Sequence, residues 1–137
     1  MRRFLVATDG SVAAQGAVRT AVELAATEQA AVVFVHVVEK GQTEQLPVYD
    51  QPLNVAAALA REYEVPYELK LTSGFTSEAI LKAADEIGAA MIVVGSSGHR
   101  RVRRAILGSV TARLLREARR PLLVVHPTPT IPASVAA

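Results

Sequence analysis

The sequence contains no cysteine and no tryptophan among its 137 residues. Without cysteine it cannot form a disulfide framework, a cysteine-ligated metal site or a thiol nucleophile. It also lacks an apolar run near the roughly 18 residues that a transmembrane helix needs, because His36 interrupts the longest run, at residues 30–38. The basic and apolar N-terminus is too short for a signal peptide and ends at Asp9. We therefore expect a cytoplasmic protein with no membrane partner.

Aromatic residues are scarce as well, and the small net charge of +2 conceals an uneven distribution. Residues 95–120 carry eight arginines and a single acid, so their net charge is +7, whereas the rest of the chain sums to −5. Nucleic-acid-binding surfaces usually combine basic residues with aromatics or a recognition helix. None of the six aromatic residues lies among the four arginines of residues 100–104. We expect these arginines to be solvated or to lie near a ligand, and we expect no nucleic-acid partner.

Apolar segments of strand length alternate with helical patterns along the chain. The patterns predict strands at 3–8, 31–38, 67–72, 90–94 and 121–126, and helices at 11–27, 53–63, 76–87 and 109–119. Residues 40–52 and 95–108 are predicted loops. Five strands alternating with four helices predict an α/β fold, an open parallel sheet with helices on both faces. Residues 1–126 form the predicted domain, and residues 127–137, with three prolines and no charge, a flexible tail.

Local signals refine the helices. Ser11 is expected to cap the first helix, and Thr76 or Ser77 the third, which Gly88 would end. In the last helix the spacing predicts an inward face of Val110, Leu114, Leu115 and Ala118.

Gly95, Gly98 and Gly108 frame the long loop before the last helix. Glycine lets a ligand approach the backbone because it has no Cβ. A helix that opens at Gly108-Ser109 presents unpaired N–H groups and the positive end of its dipole, which favours phosphate, and the Ser109 hydroxyl could add a hydrogen bond. These residues alone are equally compatible with a plain loop and helix cap. The P-loop and dinucleotide-binding motifs are absent.

Three polar residues have competing interpretations. Asp9 could shape the turn after the first strand or contact a ligand, and the glycine segment favours the ligand. His36 is interpreted as a hydrogen-bonded core residue, since it lies within a buried strand. His99 lies in the proposed site, but a histidine without an acidic partner makes a weak general base.

The spacing Gly95-x2-Gly98-x9-Gly108-Ser109 matches, without a gap, the G-2x-G-9x-G-[ST] nucleotide motif of the universal stress protein family. The segments 6–11, 36–37 and 121–125 are also similar to that family, so the chain resembles its ATP-binding subclass. The resemblance implies a Rossmann-like sheet of the adenine nucleotide alpha hydrolase type, with strand order 3-2-1-4-5.

The same resemblance implies an adenine nucleotide site. Ala7 and Thr8 would line the adenine pocket, Val37 would meet adenine through its backbone, and Asp9 would hydrogen-bond the ribose. The implied site residues are Ala7, Thr8, Asp9, Val37, Gly95, Ser96, Gly98, His99, Gly108, Ser109 and Val110. The cofactor would be ATP, with Mg²⁺ or Mn²⁺ held mainly by the phosphates.

The function implied is that of a nucleotide-dependent stress sensor or regulator. Two alternatives use the same pocket: a slow ATPase or autophosphorylating enzyme, and a cyclic AMP-binding member of the family. An apolar edge strand invites pairing with another chain. We therefore expect a homodimer, formed through the last strand by Leu122, Leu123, Val124 and Val125.

Overall fold

The computed structural model describes residues 1–38, 45–97 and 107–127. These residues form five strands, four α-helices and a short 3₁₀ turn at Pro47–Tyr49. The strands are β1 (Arg3–Ala7), β2 (Ala31–Val38), β3 (Tyr67–Ser73), β4 (Met91–Gly95) and β5 (Leu122–Val125). The helices are α1 (Val12–Glu28), α2 (Gln51–Glu62), α3 (Thr76–Ile87) and α4 (Ser109–Glu117).

All five strands are parallel and lie in the order β3-β2-β1-β4-β5, which confirms the predicted order. The central strand β1 pairs with β2 on one side, where Leu5 lies opposite Val33, and with β4 on the other, where Leu5 lies opposite Ile92. The outer strands β3 and β5 are the edges of the sheet. No helix among the residues described is both long and apolar enough to cross a membrane.

Each face of the sheet packs against its own pair of helices. Alternate side chains of a strand point to opposite faces, so successive residues of β1 enter different cores. Phe4 and Val6 pack with α1 and α2, whereas Leu5 packs with α3 and α4. The largest side chains that are completely buried include Phe4, Phe34, Leu5, Leu53, Ile80, Ile92 and Leu114.

Most of the predicted helix ends are confirmed. The Ser11 hydroxyl accepts a hydrogen bond from the Ala14 N–H, so Ser11 caps α1 as expected. Gly88 ends α3 in the left-handed conformation, with φ of 61°, which glycine adopts without strain.

Three predictions about the helices are wrong. Neither Thr76 nor Ser77 caps α3, because both are already helical, and Phe75 occupies the cap position without a side-chain hydrogen bond. Pro52 belongs to the first turn of α2 rather than to a loop, since that turn needs no N–H from proline. Leu114 is completely buried as predicted, whereas Leu115 is 52% exposed, because adjacent residues of a helix point about 100° apart.

Candidate functional site

The chain turns away from the sheet at three neighbouring points on its carboxyl edge. β1 lies between β2 and β4, so the ends of these strands are side by side. α1, which follows β1, covers one face, whereas α4, which follows β4 in the chain, covers the other. An open α/β sheet binds ligands in the crevice that forms where neighbouring strands send their connections to opposite faces. Those of the predicted site residues that the structure describes lie around this crevice.

The turn after β1 is built by its own polar side chains. Thr8 is buried, and its hydroxyl accepts from the Gly10 N–H at 3.2 Å. Asp9 Oδ1 accepts from the Ser11 N–H at 2.9 Å. Gly10 has φ of 82°, a conformation that favours glycine. Asp9 thus shapes the turn, and since a carboxylate can accept several hydrogen bonds, this role is compatible with a ligand contact.

The backbone of Val37 extends past the end of its neighbour β1. Pairing between β1 and β2 ends at Ala7 and Val35, and the Thr8 N–H donates to the Val35 carbonyl. In a parallel strand, the backbone groups of alternate residues point to the same side. The N–H and C=O of Val37 therefore point toward the side from which β1 has turned away. A backbone donor and acceptor in this position can bind the edge of a planar heterocycle.

Gly95, at the end of β4, lies directly against the first turn of α1. A Cβ on Gly95 would be 2.7 Å from the carbonyl carbon of Ala13 and 2.8 Å from its oxygen, too close for any side chain. The sequence interpretation assigned Gly95 to the close approach of a ligand. The structure adds a packing reason for glycine, because α1 could not approach β4 without it.

The first turn of α4 is tethered to the end of β4 by hydrogen bonds. The Gly108 N–H donates to the Ser96 carbonyl at 2.8 Å, and the Thr111 hydroxyl donates to the Gly95 carbonyl, also at 2.8 Å. The Ser96 N–H in turn donates to the Val125 carbonyl of β5 at 3.0 Å. These bonds define the β4–α4 clasp, formed by Gly95, Ser96, Gly108 and Thr111.

Within the described residues, no side chain caps the start of α4. Gly108 occupies the cap position, with φ of −62° and ψ of 156°, and has no side chain that could accept a hydrogen bond from the first N–H groups. The first N–H groups of a helix have no partner within the helix. Ser109 is exposed and Val110 half-buried at this end. The helix start thus offers N–H donors and positive dipole potential to an anion.

His36 lies beneath this edge on the α2 side and is hydrogen-bonded, as the sequence interpretation expects. Its Nδ1 lies 2.8 Å from Asp50 Oδ2, and Asp50 Oδ1 accepts from the Leu53 N–H at 3.0 Å. Asp50 is 4% exposed and caps α2. Sequence reasoning missed Asp50, which it placed in a loop. An Asp two residues before a Pro is a helix-start signal that could have found it.

The basic segment is partly neutralised where the structure describes it. Arg113 donates to Glu117 at 2.8 Å and to Glu78 at 3.3 Å, and its hydrogen bond to the Glu117 carboxylate raises the pKa of Arg113. Arg120 donates to the Ala89 carbonyl at 2.8 Å and to Asp85 at 3.1 Å. These arginines connect α4 and the segment after it to α3, and their positive charges are paired with acidic residues of the protein.

Nine of the eleven predicted site residues are described, and they flank the same edge of the sheet: Ala7, Thr8, Asp9, Val37, Gly95, Ser96, Gly108, Ser109 and Val110. Gly98, His99 and the arginines at 100, 101, 103 and 104 lie outside the described residues. In the described ranges, no group of three or more histidine, aspartate or glutamate residues could hold a metal ion.

A shallow cleft of about 220 Å³ lies between β3 and α3, at the outer strand of the sheet, and its lining includes no residue of β1, β4 or α4. Its lining includes Lys70 and Glu86, which form an ion pair, as well as Lys82 and Glu78. The hydrogen bond from Lys70 lowers the pKa of Glu86. Charges of both signs line the cleft, so it does not select a ligand of one charge.

Comparison with known proteins agrees with the family resemblance seen in the sequence. The model of the universal stress protein family matches residues 1–126. A universal stress protein of Synechocystis is 30% identical over 121 residues, which cover 88% of this chain. The match spans only 41% of the length of that relative.

Solved structures share the fold and most of its length. A universal stress protein in complex with cAMP is 28% identical and superposes with a TM-score of 0.76, covering 93% of this chain and 98% of that structure. The universal stress protein of Archaeoglobus fulgidus in complex with dAMP is 25% identical, with a TM-score of 0.73, covering 91% of this chain and 98% of that structure.

Proposed function

The chain belongs to the universal stress protein family, and on that premise we propose that it binds ATP at the carboxyl edge of its sheet. Its role would be that of a cytoplasmic, nucleotide-dependent stress sensor or regulator. The observation that carries the proposal is the start of α4, which no described side chain caps and which is tethered to the end of β4 beside the turn after β1. The two similar structures in complex with cAMP and dAMP support an adenine nucleotide as the ligand class.

The nucleotide would bind along three strand ends. Adenine would lie against Ala7 and Thr8, with its edge hydrogen-bonded to the backbone of Val37. The ribose would contact Asp9 and the end of β4, where Gly95 and Ser96 lie.

The phosphates would accept hydrogen bonds from the first turn of α4. The donors would be the N–H groups of Gly108, Ser109 and Val110 and the Ser109 hydroxyl, with Gly98 and His99 beside them. Because the Gly108 N–H already donates to the Ser96 carbonyl, the following two N–H groups are better placed for a phosphate. Mg²⁺ or Mn²⁺ would be held mainly by phosphate oxygens.

Titration calorimetry with ATP and Mg²⁺ tests this proposal. We expect ATP to bind and GTP to bind much more weakly, because a backbone donor and acceptor in fixed positions match the edge of adenine and not that of guanine. The Ser109→Ala variant should weaken ATP binding by a few fold, through loss of one hydrogen bond. Arg116→Ala is the matched control, since it removes a positive charge from an exposed position further along α4. A folded protein that does not bind millimolar ATP would contradict the proposal.

Cyclic AMP is the second candidate ligand, favoured by the 28% identical structure in complex with cAMP. Its cyclic phosphate carries a single negative charge and would use fewer of the α4 donors than a triphosphate. Competition between the two nucleotides separates the candidates. Tighter binding of cyclic AMP than of ATP would reverse the assignment.

We also propose that the chain forms a homodimer through β5. This strand is an edge of the sheet and carries the uncharged sequence Leu122–Val125. The Pro121 carbonyl accepts from Ile92 of β4 and the Val125 carbonyl from Ser96, just after β4, so the alternation directs the backbone of Val124 outward. Val124→Pro removes an outward N–H and should give a monomer in sedimentation, whereas Val124→Ala keeps that N–H and should remain a dimer. A wild-type monomer at micromolar concentration would overturn this proposal.

A further inference from the structure

Thr111 is a buried polar residue that the glycine motif does not include. It is the third residue of α4 and is 3% exposed. Its hydroxyl donates to the Gly95 carbonyl, at the end of β4, at 2.8 Å. A threonine hydroxyl in a helix commonly bonds a carbonyl of the preceding turn of that helix. Here the bond instead joins two elements of the fold, across a sequence separation of 16 residues.

The bond is one of two hydrogen bonds that hold the first turn of α4 to the end of β4, and it is the one made by a side chain, since the other joins the Gly108 N–H to the Ser96 carbonyl. Among the described residues no side chain caps this end, and the helix is only nine residues long. Leu114, completely buried, anchors the helix one turn further on. Residues 111 and 114 share a face of α4, so Thr111 and Leu114 together set the depth and rotation of the helix on the sheet.

We propose that Thr111 is the positioning residue of the phosphate site. This inference rests on the proposed function, because the donors it positions are the N–H groups of Ser109 and Val110. Hydrogen bonds weaken steeply when donor and acceptor are misaligned. A first turn released from the Gly95 carbonyl would lose its fixed direction, and the N–H groups would no longer converge on one phosphate.

Thr111 should affect phosphate binding and leave adenosine binding unchanged. Adenine would contact Ala7, Thr8 and Val37, none of which the Thr111 hydroxyl touches. The ribose would lie against Asp9 and the end of β4, and Gly95 keeps its position there without the Thr111 bond because it pairs with Val125 of β5 and packs against Ala13. A residue that only stabilised the fold would affect both parts of the nucleotide alike. The ratio between ATP and adenosine affinities is therefore the informative measurement.

The test uses Thr111→Val, which keeps the shape of the side chain and removes its hydroxyl. We expect the Kd for ATP with Mg²⁺, measured by calorimetry, to rise about tenfold. The Kd for adenosine, measured from shifts of backbone amide NMR signals, should stay within about twofold. Thr111→Ser retains the hydroxyl and should restore the ATP affinity of the wild type.

Ile80→Val is the matched control for stability. Ile80 is buried in the same core as Leu114 but lies on α3. It should lower the Tm and leave both affinities unchanged, which separates loss of stability from loss of position. If Thr111→Val does not fold, Thr111→Ala carries the same prediction, because it also removes the hydroxyl.

Three outcomes would overturn the inference. They are an unchanged ATP affinity in Thr111→Val, an equal loss of ATP and adenosine affinity, and failure of Thr111→Ser to restore binding. A wild-type protein that binds adenosine but not ATP would instead overturn the proposed function, and the role of Thr111 with it. The result for the wild type therefore distinguishes the two failures.

Discussion

The starts of α2 and α4 differ in how they treat the first N–H groups of the helix, which have no partner within it. α2 begins at a buried carboxylate, because Asp50 accepts from the Leu53 N–H and is also hydrogen-bonded to His36. α4 begins at Gly108, and Thr111 and the Ser96 carbonyl hold it from the side. Both starts lie at the carboxyl edge of the sheet.

The difference separates a structural helix start from one suited to a ligand. At α2 the negative side chain satisfies a backbone donor and complements the helix dipole. An anionic ligand there would meet a carboxylate. At α4 the Thr111 hydroxyl, on the side of the helix, bonds the Gly95 carbonyl of β4. This bond leaves the N–H groups of Ser109 and Val110, which point along the helix axis, available to a ligand. A hydrogen bond from the side of the helix thus fixes the position of its first turn without occupying the proposed phosphate site.

The largest effect on stability is expected from Gly95→Ala, which changes the residue at which β4 enters the β4–α4 clasp. The new Cβ would overlap the Ala13 backbone, which cannot move without shifting α1. We expect a loss of about 3 kcal/mol in the free energy of unfolding, at the upper end for overpacking. Urea denaturation would measure it. Gly16→Ala, within α1, is the control for adding a Cβ, since the nearest atom, Val125 Cγ1, would be 3.8 Å away, an ordinary contact. Equal losses in the two variants would show that overlap with α1 is not the cause.

Asp50→Ala tests the closed start of α2. The substitution removes the cap, worth about 1 kcal/mol, and leaves His36 without its partner, which adds about 1–2 kcal/mol. Denaturant unfolding should therefore show a loss of about 2–3 kcal/mol. Asp50→Asn keeps a good capping side chain and should lose less than half as much. A variant Asp50→Ala as stable as the wild type would mean that the pair does not hold α2 to β2.

Gly108→Asp would convert the start of α4 into a start like that of α2. Gly108 has an extended backbone that any residue can adopt, and a carboxylate there can accept from the first turn. We expect stability to rise by a few tenths of a kcal/mol, while the affinity for ATP falls by at least about tenfold.

Gly108→Ala is the control for this change, because it adds a Cβ without a capping group. It should bind ATP more tightly than Gly108→Asp, as calorimetry would measure. If both variants bind ATP equally well, the open start of α4 is not where the phosphates bind.

Much of the fold was predictable because its signals are local. The period of the apolar residues located all five strands and four helices, and the predicted strand ends agree within one residue for most elements. Errors arose where two local signals competed. Thr76 and Ser77 both resemble a helix cap, yet the helix starts at Thr76 and Ser77 is buried in its first turn.

The candidate site was predictable in its position and less so in its construction. The motif glycines indicated the loop before α4, and Asp9 and Val37 indicated the neighbouring strand ends. The partners of His36 and Thr111 were not predictable, because each bond joins residues 14 or 16 positions apart whose separation in space depends on how whole elements pack.

The sequence by itself determined the alternation of strands and helices, the absence of cysteine chemistry and the residues that open α4, because each depends on residue type and short-range spacing. Only the tertiary structure decided what those residues contact. It placed Gly95 against Ala13, Asp50 beneath His36 and Thr111 on the carbonyl of Gly95. Contacts of this kind require two elements to be packed on one sheet, and burial then makes each hydrogen bond and each missing Cβ consequential.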